Sequence, residues 1–266
     1  MRLSLLTNIV LAVGCMAQSN YDCMPTSSDM TAVKFAYSVQ NLLSSYYSSV
    51  PVNETFFSTL PNHTVPHTNF MANAMGLKRQ AELGMDALQQ FSSKASNNTN
   101  MPMCDYNLPT PMDAKSHLMN AYQMEATLCG AFIGLADYVQ CPEASFLMAR
   151  LSAEHGIHAS YIGSHMKPQV FMANSTSLTP AFTPQHVMMS GDSVGHLGQY
   201  MNDCHAPMPS APCGGKVEIG KLGANLTATK TQMSTGTSMP TNAGSTLAGV
   251  NGLLGSLAAF AFLYYV

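Results

Sequence analysis

The sequence predicts an all-α chain organised as an up-and-down four-helix bundle. Three observations carry that prediction. Apolar residues recur at helical spacing from Asp29 to about Lys167, clusters of Pro, Gly and Asn cut this stretch into segments of helix length, and strand-like alternation is scarce. Four amphipathic helices of roughly 20 to 28 residues can cover a single core, which makes a bundle the economical solution.

The first segment, "SSDMTAVKFAYSVQNLLSSYYSSV", has Ser28 or Asp29 as its cap and sets Phe35, Val39, Leu42, Leu43 and Tyr46 on one face. A Pro-containing loop, "PVNETFFSTLPNHTVPHT", leads to "NFMANAMGLKRQAELGMDALQQF", whose apolar face holds Phe70, Ala74, Leu77, Ala81, Leu88 and Phe91. "SNNTNMPMCDYNLPTPMD" separates that helix from "AKSHLMNAYQMEATLCGAFIGLADYV". Cys141-Pro142 marks the next break, with Pro142 at the first turn of "EASFLMARLSAEHGIHASYIGSHMK". A short fifth helix is expected from about Pro184 to Asp203, closing a domain over 18–205. Residues 206–242 are rich in Pro, Gly, Ser and Thr and read as a disordered stalk suited to O-glycosylation.

Both termini carry targeting patterns. Residues 1–17 combine a basic start, an apolar run and a small-residue exit, the layout of a signal peptide. Small residues at Asn242, Ala243 and Gly244 precede a spacer and an apolar tail, the pattern of a glycosylphosphatidylinositol (GPI) signal with attachment at Asn242 and removal of 243–266. The last unbroken apolar run is about fourteen residues, short of the about 20 a transmembrane helix needs. The expected partners are therefore a membrane, through the GPI lipid, and cell-wall polysaccharide. Sequons at Asn53, Asn62, Asn97, Asn174 and Asn225 fall in loop-like stretches.

Loss of Cys15 with the signal peptide leaves Cys23, Cys104, Cys129, Cys141, Cys204 and Cys213. An even set in a secreted chain points to disulfides, although six cysteines allow about 15 pairings. No CxxC is present, which argues against a zinc ribbon. Charged residues make up only 9% of the chain and the net charge is −3, so nucleic acid is excluded as a partner for want of clustered Lys and Arg. Methionine, at 21 residues of 266, is unusually frequent; thioethers fill irregular cores and also serve as soft metal ligands.

The chemistry concentrates in "AEHGIHASYIGSH". At about 100° per residue, Glu154, His155, His158 and His165 fall within an arc of about 100°, interleaved with Met148, Leu151 and Met166. Alone, that arc reads more readily as a solvated helix edge than as a metal-binding wall, which would need partners from facing helices. Glu125 adds weight to the first reading, because it sits inside the stripe Leu118, Tyr122, Cys129, Phe132 and Ala136. A buried carboxylate is paired, protonated or metal-bound. On the second helix Glu82 and Met85 have i, i+3 spacing, with Met85 near the core face and Glu82 on its flank.

At these residues the chain resembles the secreted ferritin-like proteins, the group that includes desiccation-related and fungal stress-response or sexual-development proteins. "DMTAVKFAYSVQNLLSSYY", "MEATLCGAFIGLA" and "RLSAEHGIHASYI" are similar to that group's first, third and fourth helices, and "STSLTPAFTP" to its Thr-Pro segment after the bundle. The resemblance spans about residues 29 to 200. It implies a ferritin-like four-helix bundle whose parent architecture holds two irons with a Glu on each of two helices and a Glu-x-x-His on each of the others.

Carried over by position, the first-helix carboxylate falls on Gln40 or Leu43, and the second-helix pair becomes Glu82 and Met85. Glu125 keeps the third-helix carboxylate, and the fourth-helix pair becomes His155 and His158. The bridging carboxylates that two hard irons require are missing. Glu125, His155, His158 and Met85 would suit one iron, one copper or a haem iron instead, with Met71, Met75, Met119, Met124, Met188 and Met189 as further soft groups. Three functions stay open: a GPI-anchored surface glycoprotein that binds iron, copper or haem, a structural wall mannoprotein without metal chemistry, and a redox enzyme with an altered centre.

Overall fold

The computed structural model describes residues 24–58, 60, 67–95, 100–166, 178–201 and 203–211, and not the side chains of residues 67–70 and 203. Both expected terminal signals, Asn242, the sequons at Asn62, Asn97, Asn174 and Asn225, and Cys23 and Cys213 lie outside the described residues, as does the side chain of Phe70.

Helix α1 (Ser27–Ser48) starts from Thr26, two residues before Ser28, the earlier of the two expected caps. The Thr26 hydroxyl accepts the Asp29 N–H at 3.2 Å and the Asp29 carboxylate accepts the Thr26 N–H at 2.7 Å. Such a reciprocal pair satisfies two donors that the first helical turn otherwise leaves open. The predicted face is the buried one: Phe35, Val39, Leu42, Leu43 and Tyr46 are inaccessible to solvent. A single-turn helix, α2 (Glu54–Phe57), interrupts the loop that follows; the exposed Asn53 caps it by accepting the Phe56 N–H at 2.8 Å, and Phe57 is buried.

Helix α3 (His67–Ala95) buries Ala74, Leu77, Ala81 and Leu88. Helix α4 (Ala114–Ala136) opens with a second reciprocal cap between Asp113 and Ser116. Helix α5 (Pro142–Met166) begins at the expected proline, where the missing N–H is no loss. The expected fifth helix is cut to one turn, α6 (Pro184–Val187), and a 3₁₀ turn at Gly198–Tyr200. Between them Gly191 (φ 135°) and Gly195 (φ 104°) take left-handed conformations that no helix continues through.

Side-chain contacts give the direction of each helix. On α1 and α4, Asp29 meets Gln140 just past the end of α4 while Tyr46 and Tyr47 meet His117 and Glu125, so the two run antiparallel. Glu125 with His155 and Cys129 with Ser152 make α4 and α5 antiparallel, and Gln80 with His158 and Gly84 against Leu151 do the same for α3 and α5. Hence α3 and α4 run the same way, and their connection must cross the length of the bundle. Tyr106 on that connection donates its hydroxyl to the Ser38 carbonyl at 2.7 Å, midway along α1. Such a single long crossover is the ferritin-like order of a four-helix bundle.

Two short strands, β1 (Cys104–Asp105) and β2 (Asp203–Cys204), pair antiparallel, and a disulfide joins Cys104 to Cys204 across a separation of 100 residues. Cys129 departs from the disulfide set: among the described residues it is a buried free thiol facing Ser152 and Gly156 of α5, with no cysteine opposite. Cys141 is also buried, and its N–H donates to Asp29 at 3.2 Å. Gly130 and Gly134 let the Thr-Pro segment cross α4. A Cβ at Gly134 would fall 1.9 Å from the Phe182 carbonyl oxygen, and the Phe182 N–H donates to the Gly130 carbonyl at 2.9 Å. Among the described residues, no helix is long and apolar enough to cross a membrane.

Candidate metal centre

Three helices converge on Glu125, which lies midway along α4 and is fully buried. His155 and His158 of α5 direct Nδ1 at its two carboxylate oxygens, at 2.6 and 3.1 Å. Tyr47 of α1 donates its hydroxyl to Oε1 at 2.7 Å. Their i, i+3 spacing on α5 is what lets both histidines face one carboxylate on the neighbouring helix. Phe132, two turns beyond Glu125, stacks on the His155 ring with centroids 5.4 Å apart, and the two imidazoles stand nearly perpendicular at 88°.

The far edges of both rings are also held. Gln40 of α1 donates its amide to the Ala81 carbonyl on α3 at 3.0 Å, which turns its Oε1 toward His155 Nε2 at 2.8 Å. An amide oxygen only accepts, so His155 Nε2 carries the hydrogen. Gln80 of α3 sets its Oε1 against His158 Nε2 in the same way, and because Gln80 is exposed this edge lies one side chain from solvent. Each imidazole is thereby oriented with Nε2–H outward to an amide and Nδ1 inward to the carboxylate.

The electrostatics agree with this geometry. Burial alone would raise the Glu125 pKa, but the charges and hydrogen bonds of His155 and His158 outweigh it and hold the carboxyl at about 2. Burial pushes the His158 pKa down, and its hydrogen bond to Glu125 together with the carboxylate charge reverses the sign, leaving it above the ordinary value. An ionised carboxylate in a dry core is tolerated only with such compensation.

The predicted residues separate into two groups. Glu125, His155 and His158 come together, with ligand atoms all within 4.8 Å of one another, and among the described residues they are the sole group of three such ligands so placed. Glu82 does not join them: it is half-exposed on α3 and pairs with Arg79 at 3.4 Å. Met85 is half-buried, five residues beyond Gln80, the α3 side chain that does reach the histidines. Of the two alternatives on α1, Gln40 takes the site position and Leu43 belongs to the core. Sequence reasoning passed over Tyr47 and Gln80. Tyr47 had a usable signal, since it stands seven residues after Gln40 and therefore on the same helical face.

One carboxylate and two imidazoles, each with its second nitrogen donating to an outer acceptor, form a donor set that fits a single ion. It does not fit a pair, because amides occupy the places from which further carboxylates would bridge. A family model for the ferritin-like domain matches residues 28–168, more than half of the 266-residue chain. No curated protein and no solved structure matches the chain. With the crossover order of its helices and a carboxylate–histidine cluster inside the bundle, the chain belongs to the ferritin-like domain family.

Proposed function

We propose that the protein is a secreted, GPI-anchored surface glycoprotein that binds one iron(II) ion through Glu125 and the Nδ1 atoms of His155 and His158, in iron acquisition or homeostasis. The observation that carries this reading is the pair of outward Nε2–H bonds to Gln40 and Gln80, which leaves both Nδ1 atoms directed at a shared carboxylate. Two histidines and one carboxylate suit iron(II). Haem fits less well, since both imidazoles are engaged at each nitrogen in a packed interior, one of them against Phe132. The signal-peptide and GPI patterns, and the exposed sequon at Asn53, support the surface location.

An iron ion held there would supply a Lewis-acidic, redox-active centre. The chain's own side chains orient the ligands, through Gln40, Gln80 and Tyr47, and keep bulk water away, through Phe132 and the surrounding core. Anaerobic loading of the purified secreted form with iron(II), followed by metal analysis, tests the proposal. Retention of one ion per chain, lost in Glu125→Gln, is the expected result; a wild-type protein that retains none overturns it. Release of the cell-bound protein by a phosphatidylinositol-specific phospholipase tests the anchor separately.

One observation favours a second reading, a structural glycoprotein. Every ring nitrogen of His155 and His158 and both oxygens of Glu125 already have hydrogen-bond partners, so the cluster also works as a polar staple between α1, α3, α4 and α5. That reading expects Glu125→Gln to change stability with no metal to lose.

A further inference from the structure

Away from Glu125, a second pair of histidines is brought together by the chain after the bundle. His186 lies on the single turn of α6 and His196 closes the following loop, and their ring centroids lie 4.9 Å apart at an interplanar angle of 59°. The loop between them is tightly built. Leu197 N–H donates to the Val187 carbonyl at 2.7 Å, Gly198 N–H to the Met189 carbonyl at 3.0 Å and Gly191 N–H to the Gln199 side chain at 3.0 Å. Its outer part is fastened to α4, where the Gly195 N–H donates to Thr127 Oγ1 at 2.8 Å and Gln123 to the Ser193 carbonyl at 3.3 Å.

Both left-handed glycines of the protein's described residues stand against these rings. A Cβ at Gly195 would meet His186 Nε2 at 2.8 Å, and one at Gly191 would meet His196 Nδ1 at 3.2 Å. The loop therefore spends its two strained positions on making room for imidazole nitrogens. One of those nitrogens is left over by the fold: His196 Nδ1 is buried without a hydrogen-bond partner, while the His186 ring is held by stacking on Phe182 at 5.0 Å. A buried ring nitrogen left unpaired costs free energy that a ligand would recover.

We propose that His186 and His196 form a second metal site, a two-imidazole site for copper(I). An ion sits about 2.0–2.1 Å from an imidazole nitrogen, so rings at this separation can share one. Zinc almost always takes four protein ligands in such a structural site, and here two are in place. Neutral nitrogens, with the thioethers of Met188 and Met189 in the same loop, suit a soft monovalent ion instead. The proposal is independent of the iron reading, which uses different residues.

The test is competition for copper(I), added as its acetonitrile complex under nitrogen, against a chromophoric chelator, with the full secreted chain and with His186→Asn and His196→Gln. Wild type is expected to withdraw one copper per chain, and each variant to bind it at least 100-fold more weakly while keeping the wild-type melting temperature within a few degrees. X-ray absorption should report nitrogen ligands at low coordination number. In proton spectra, the imidazole signals that shift on copper addition should be those missing from the two variants. A wild type that cannot compete overturns the site, and so do variants that bind as well as wild type, since copper would then sit at the Glu125 cluster or the Cys129 thiol. Iron(II) retention in the same variants reads the other site, so the two proposals fail separately.

Discussion

Asp29 and Glu125 are both completely buried carboxylates, both held ionised below their ordinary pKa, and they do different work. Around Asp29 the donors are the Thr26 N–H and hydroxyl and the N–H groups of Gln140 and Cys141, almost all backbone. Burial alone would raise its pKa, and those bonds reverse the effect. Backbone amides cannot give up their protons to an ion. Around Glu125 every donor is a side chain, two of them imidazoles, which can exchange a proton for a metal. Burial does not separate a structural carboxylate from a functional one; the exchangeability of its partners does.

The strongest way to break this contrast is to strip Glu125 of one imidazole. His155→Ala leaves a buried charge short of a partner and should destabilise the fold by about 3–5 kcal/mol, measured by chemical denaturation, with loss of bound iron. Next in size is the acid limb of the stability curve. The Glu125 pKa is depressed to about 2 from 4.5, so its contribution is present above the unfolded value and is lost as pH falls from about 4.5 to 2. Asp29 is lowered too and adds to the same limb. His158 has the opposite sign: with its folded pKa raised above 6.5, its contribution is full below 6.5 and is lost as pH rises through the folded value. Denaturation midpoints across pH should therefore fall on both sides, and Glu125→Gln should flatten both arms where Asp29→Asn trims only the acid one.

Asp29→Asn is expected to cost about 1–3 kcal/mol, because an amide cannot accept all the donors that the carboxylate does, and to leave iron retention unchanged. Smallest in stability is Gln80→Ala, an exposed change worth within about 0.5 kcal/mol. Its effect should appear in binding: removing the acceptor behind His158 should weaken iron about 10-fold by competition titration. Equal losses of iron in Asp29→Asn and Gln80→Ala would erase the distinction between the two carboxylates.

Much of this was readable from periodicity. Helix faces follow from apolar spacing, which is why Glu125 stood out among Leu118, Phe132 and their neighbours, and why His155 and His158 could be set opposite it. The small residues of "GAFIG" are explained by the chain that crosses them at Phe182. The α3 assignment failed because Glu82 and Met85 were aligned by motif spacing, whereas the rotation of α3 sends Glu82 outward to Arg79 and brings Gln80 to the histidines. An amide that orients a ligand carries no spacing signature of its own. The fifth helix starts at the expected Pro184 but is shorter than expected, because apolar content hid two left-handed glycines that no helix continues through, and α2 was missed because one turn has no period to detect. Disulfide pairing depends on where the crossover meets the post-bundle chain, which is information held only in three dimensions.

That Cys104–Cys204 bond also makes the protein partly circular. Helices α4, α5 and α6 lie inside a covalent ring, and with them every proposed ligand: Glu125, His155, His158, His186 and His196. A protease acting outside the cell that cuts once between 105 and 203 opens a ring and releases nothing, so the nicked molecule keeps its mass until it is reduced. The supporting residues Gln40, Tyr47 and Gln80 stand on the arm that precedes Cys104, outside that ring.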